Sequence, residues 1–250
     1  MNDRGSATIA TITLLPLLMA IAAVFFASYL LLLADSEARH VCRTELLHAQ
    51  ALISRHLEQL FALNPRAHSL RLQRRTAEAK VAATLGTPAH LAAQAELQAV
   101  IQAQLALALA QKKLINLARL HARTAPALTL AKIHRTLRAR RALVRADTKP
   151  DDWRSSQRIP RIDLRKKPAG SLTPDYEPGV NFNVSQEMRV SWSFGVDSLL
   201  PSWLKPFGRF HGLRVNAECS ATLIQEKNKW RPQLTKEGKR LSNFSLRSLF

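Results

Sequence analysis

The longest apolar run in the chain spans residues 8–34, from Thr8 to Ala34, and holds no charged residue. A hydrocarbon core ~30 Å thick needs about 20 apolar residues at a rise of about 1.5 Å, so the run predicts one membrane-spanning helix. In that form every backbone N–H and C=O is satisfied internally, as lipid requires. A secretory signal peptide is the competing pattern, with an apolar region of about 7–15 residues that ends at a small-residue cleavage site. This run is longer and ends in Leu30-Leu31-Leu32-Leu33-Ala34-Asp35, which favours a retained anchor.

The helical pattern continues past the apolar run. From Asp35 to Leu63 there is neither Gly nor Pro. Cys42, Leu46, Ala49, Ile53, Leu57 and Leu60 recur at steps of three and four, while Arg39, Arg43, Arg55 and Glu58 fall on other faces. Asn64-Pro65 ends the run, since the residue before proline is disfavoured in the α region. One helix from about Ser6 to Leu63 would be about 85 Å long. A second helix is expected over Arg66–Leu85, closed by Gly86, with Thr87-Pro88 as the next start signal. Ala89 to Arg123 follows, with Val100, Leu107 and Leu114 spaced by sevens and Leu97, Ile101, Leu117 and Leu120 widening that face. This is the pattern of a coiled coil or of a long helix packed on another. Pro126 predicts a break after Thr124, then a last helix from Ala127 to about Ala146 with Leu130, Ile133, Leu137 and Val144 on one side.

The period then changes from helical to two. Residues 147–179 carry Pro150, Pro160, Pro168, Pro174 and Pro178 and read as an extended connection. Val180, Phe182 and Val184 alternate with polar residues, as do Met188, Val190, Trp192 and Phe194. Leu213 to Leu223 is the clearest strand, with Val215, Ala217, Cys219 and Ala221 on its apolar side. Leu199–Gly208 holds two prolines and reads as a loop. The fold class is α+β: a long N-terminal membrane-spanning helix extended into a stalk, a helical, coiled-coil-like hairpin region, and a small C-terminal antiparallel sheet. The divisions are a leader at 1–5, transmembrane helix and extension at 6–64, helical region at 65–146, Pro-rich linker at 147–179, β region at 180–235 and basic tail at 236–250.

A small sheet needs something to lie on, and the stripe on the outer half of the anchor helix is a suitable partner. Cys42 sits on that stripe and Cys219 on the apolar face of the clearest strand. Their separation of 177 positions fits no metal motif. Two readings stand: a helix–sheet disulfide in an exported domain, or two separate buried thiols.

Charge adds a partner class. The net charge is +19, and residues 35–146 hold 18 Lys+Arg against 6 Asp+Glu. An excess of this size suits nucleic acid, phospholipid head groups, a cell-wall polymer or an acidic protein, or else reflects solvated helix faces. Lys132, Arg135, Arg138, Arg140, Arg141 and Arg145 form the densest group and are the polyanion-binding candidates. The group lacks aromatic residues for single-strand stacking, and no nucleic-acid-binding motif accompanies it. Trp153, Trp192, Trp203 and Trp230 lie later, where packing is the commoner role. His48 and His56 share a helix face with no Cys or acidic ligand set beside them. None of the 8 glycines is spaced as a phosphate loop, so neither enzyme activity, a cofactor, a metal nor a small-molecule substrate is expected.

The sharpest local signal is the N-terminus. Met1-Asn2-Asp3-Arg4-Gly5 is a short polar leader, followed by Ser6-Ala7-Thr8-Ile9-Ala10 and an apolar run containing Pro16. This resembles the TadE-like minor pilins and pseudopilins of Flp (tight-adherence) pili, within the type IV pilin superfamily. Gly5 and Pro16 match the family's pattern, whereas Ala10 stands where a glutamate is usual. The resemblance covers about 30 residues, and the helical region 66–146 lies outside the family's typical layout. It implies cleavage after Gly5 by a prepilin peptidase, leaving Ser6 as the new N-terminus, and association with other pilin-like or pilus-assembly proteins. It further implies an inner-membrane protein with the N-terminus cytoplasmic and the C-terminal domain periplasmic or extracellular. Arg4 on one flank against Arg39 and Arg43 on the other leans toward the opposite orientation, but long domains cross largely regardless of such charges.

Overall fold

The computed structural model describes residues 3–144, 153–195, 214–226 and 229–235. Helix α1 runs unbroken from Asp3 to Ala62, with Pro16 inside it. Its two halves meet different surroundings. Side chains between Leu14 and Leu32 are largely exposed, with Phe25 at 72% and Leu32 at 71%. Water does not tolerate an apolar surface of that extent, and the segment is long and apolar enough to cross a membrane. From Ala34 onward one face turns inward: Ala34, Ala38, Cys42, Leu46, Ala49, Ile53, Leu57 and Leu60 are buried. No Gly or Pro interrupts the junction at Ala34, so one continuous helix carries both the exposed apolar half and the packed half.

Pro65 ends α1 and opens α2, Asn64–Ala83, where a proline in the first turn forfeits no hydrogen bond. Gly86, at φ 81°, takes the left-handed conformation that lets the chain reverse after α2. Helix α3, His90–Val144, then returns antiparallel to both preceding helices. Gln104 reaches Leu70 of α2 and Lys80 pairs with Glu96, while His56 and Glu45 of α1 meet His121 and Lys132. The last two contacts share one register: the eleven-residue step from 45 to 56 equals that from 121 to 132. Carried one further step, Ala34 stands level with residue 143, one short of the end of α3.

Pro126 does not break α3, contrary to the expectation from sequence. The buried series Leu107, Gln111, Ile115, Ala118, Ala122, Ala125, Thr129, Ile133 and Leu137 passes through it without a change of face. An internal proline costs roughly 3 kcal/mol, less than separating this face from α1 would. Val100 and Leu114 of the sevens pattern are only half-buried; the buried positions step by three and four instead. That seam is antiparallel helix packing.

The sheet is antiparallel, ordered β1-β4-β5-β6, from Arg154–Arg158, Met188–Gly195, Arg214–Glu226 and Lys229–Leu234. Met188, Val190, Trp192 and Phe194 of β4 stand opposite Ala221, Cys219, Ala217 and Val215 of β5. Large residues on one strand therefore face small ones on the next. The small face of β5 is what lets α1 lie close to it. A second ladder pairs β2, Leu164–Lys167, with β3, Asp175–Pro178. Residues 154–178 were expected to be an unpaired connection and instead supply these three strands. Apart from the buried Tyr176 their side chains are exposed or half-buried, which hides the alternation that normally announces a strand. The alternation at 180–184 misleads in the other direction: Phe182–Ser185 is one helical turn, α4, with Phe182 buried. Gly179 precedes it, and a Cβ there would collide with the Asp163 carboxylate.

Ile53 is fully buried in the cluster shared by α1, α3 and the sheet. Ile53→Ala should cost about 2–5 kcal/mol in denaturant unfolding of the detergent-solubilised protein. Leu109→Ala, on the exposed side of α3, should stay within about 0.5 kcal/mol.

Candidate functional site

The functional geometry begins where α1 meets the sheet. Cys42 and Cys219 form a disulfide, with Cα atoms 6.4 Å apart, and both residues are buried. Two turns further along the same stripe, Gln50 donates from Nε2 to the carbonyls of Gln186 and Ala221 at 2.8 and 3.1 Å. Ser54 Oγ donates to the Trp230 carbonyl at 2.9 Å, and the Trp230 N–H donates to Glu58 Oε1 at 3.2 Å. Side chains of α1 thus take both main-chain groups of Trp230 on β6, an edge strand of the four-stranded sheet. An edge left bare would template pairing with other chains, and here a helix closes it.

The pattern continues outward. Asn64 donates to the Tyr176 carbonyl at 2.9 Å and accepts from its N–H at 3.0 Å. Arg71 pairs with Asp175 and donates to the Thr173 carbonyl, and Gln111 of α3 donates to the Pro174 carbonyl at 3.1 Å. Polar side chains of α2 and α3 therefore tie down the β2–β3 hairpin. The sequence did carry a signal for part of this: Gln50 and Ser54 follow Leu46 at steps of four, on the apolar stripe itself. A polar residue on a buried face needs a partner, and the partners are strand carbonyls too distant in sequence to identify from it.

Several expected site residues lie elsewhere. Gly5, Ser6, Ala10 and Pro16 all fall within α1, so the leader and the apolar run share one helix from Asp3 onward. Lys132 is held by Glu45 at 2.6 Å. Arg135 and Arg138 are exposed, with no ion pair among the described residues. Arg140 and Arg141 occupy the last turns of α3, and Arg145 lies outside the described residues. The six basic residues are thus not equivalent.

No family model matches this chain, and no curated protein or solved structure matches it either. Among the described residues no group of three or more His, Cys, Asp or Glu could hold a metal ion. One aromatic groove of about 290 Å³, lined by Glu58, Phe61, Tyr176, Pro178, Gln225 and Trp230, opens beside the seam. Tyr176 is buried in it, and this burial raises the phenol's pKa, with Arg119 opposing the effect.

One histidine pair crosses the α1–α3 interface. His56 and His121 stack with ring centroids 5.4 Å apart and planes 12° from parallel. Burial, then the neighbouring His121, lowers the His56 pKa, with Arg55 adding to the effect and Gln59 opposing it. The folded protein therefore binds this proton less readily than the unfolded chain. The sign follows: stability is fully present above about pH 6.5 and falls as pH drops through the lowered pKa. His56→Gln should flatten the loss of thermal stability between about pH 7 and pH 5.

The disulfide gives a second prediction. It closes a loop of 177 positions, so its removal should lower stability by about 2–5 kcal/mol. Equilibrium unfolding of Cys42→Ser/Cys219→Ser against the oxidised protein measures this. Thiol titration of the unreduced, unfolded protein should find no free cysteine.

Proposed function

We propose that the chain is a membrane-anchored minor pilin- or pseudopilin-like structural component of a pilus or secretion apparatus. It sits in the inner membrane, with the N-terminus cytoplasmic and the sheet-bearing domain on the periplasmic or extracellular side. The observation that carries this reading is α1 itself: one helix, apolar and largely exposed over Leu14–Leu32, then the packed spine of a small antiparallel sheet. The N-terminal residues Gly5, Ser6 and Pro16 supply the resemblance, and the anchor-plus-spine layout supports it.

The disulfide supports the orientation. Such bonds persist in oxidising compartments and are rare in the cytosol, so a buried Cys42–Cys219 bond favours export of the domain. This outweighs the small excess of arginine on the domain's flank of the anchor, because large domains cross with little regard to such charges.

Ala10 sets the role. In a polymerising pilin an acid at this position pairs with the new ammonium terminus of a neighbour, since either charge alone in lipid is costly. Alanine cannot make that pair. The chain is therefore assigned to a minor, priming or tip position and not to the repeating filament.

N-terminal sequencing of the membrane-extracted protein tests the processing. The expected mature chain begins at Ser6, and Gly5→Phe should remain uncut, heavier by the leader. A wild-type chain that retains Met1 or Asn2 in cells with an active prepilin peptidase removes the pilin reading.

A further inference from the structure

The basic residues that sequence alone left without a partner acquire one from the helix register. The 45–132 and 56–121 contacts fix α3 antiparallel to α1, which sets each α3 residue level with a residue of α1. Arg138 is level with Arg39 and Arg135 with Cys42. Ala34, where the bare apolar surface ends, is level with residue 143. At about 1.5 Å per residue, Arg138 stands about 7 Å and Arg135 about 12 Å from the level of Ala34. The head-group layer of a bilayer is about 5–8 Å deep on each side, and charges act over about 8 Å in physiological salt.

We infer that the end of α3 is a membrane-surface contact that selects anionic phospholipid head groups in the leaflet its own anchor enters. This rests on the anchoring part of the reading above and is independent of cleavage at Gly5. Positions 138–141 lie within the reach of lipid phosphates by their level alone. Lys132 does not belong to the contact, because it stands farther out and is neutralised by Glu45. On α1, Arg39 pairs with Asp35 at 2.7 Å, and Arg43 and Glu37 also have partners at this level. Arg135 and Arg138 are thus the exposed cations of α3 that have no ion pair at this level among the described residues. Lipid is favoured over nucleic acid by this placement: a duplex about 20 Å wide cannot lie along a helix end held at the head-group layer without meeting the bilayer.

The test uses the full chain, purified in detergent and mixed with equal amounts of phosphatidylglycerol and phosphatidylcholine, with retained lipids counted by native mass spectrometry. The expected result is preferential retention of phosphatidylglycerol. At about fivefold per basic residue near a lipid surface, Arg135→Gln/Arg138→Gln should reduce that preference about 25-fold. Lys132→Gln should leave it within about twofold. Equal retention of both lipids by the wild type, or an unchanged preference in the double variant, overturns the inference. So does loss of duplex-DNA binding in the double variant with its lipid preference intact, which would assign the patch to nucleic acid. A chain that stays soluble without detergent would instead remove the anchor on which both readings stand.

Discussion

A small antiparallel sheet with one apolar face is not stable until that face is covered, and in this protein the cover is one half of a long helix whose other half is apolar and exposed. The contact between the outer part of α1 and β5 sets nearly everything else. It demands small side chains where helix and strand approach, and Ala217, Cys219 and Ala221 meet that demand. It demands large ones to fill the neighbouring space, and Met188, Trp192 and Phe194 provide them. It also leaves the strand carbonyls at the helix facing a surface without backbone donors, which is why Gln50 and Ser54 stand among aliphatic residues. Helix α3 closes the other side of α1, so the stripe is enclosed from two directions by elements that are remote in sequence.

How much of this could be read from the residues depended on whether the signal was local. The apolar run, the stripe from Cys42 to Leu60 and the turn at Gly86 are each set by neighbours in the chain, and they stand where the pattern put them. The long strand over 214–226 was legible for the same reason, since apolar and polar residues alternate along it. Pro126 was misjudged because a local rule met a non-local force: the face of α3 buried against α1 continues on both sides of it. The strands between 154 and 178 were missed because their side chains lie largely at the surface, so backbone pairing defines them, β1 with the remote β4 and β2 with the adjacent β3.

The basic group at 132–145 shows a third kind of limit. Its composition was plain, yet six cations on one segment look alike until their surroundings are known. One is neutralised by Glu45, two are exposed, and the level of each relative to the anchor follows only from contacts between α1 and α3. Charge could be counted from sequence, but which cations stay free depends on contacts between helices remote in the chain.

The disulfide has a mechanical side. A tensile force on β5 enters α1 through a covalent bond at Cys42, about 12 Å along the helix from Ala34. The hydrogen bonds at Gln50 and Ser54 lie beyond that point, farther from the bilayer, and are shielded from the pull. Load therefore passes from the domain into the exposed apolar half of α1 along a single continuous rod.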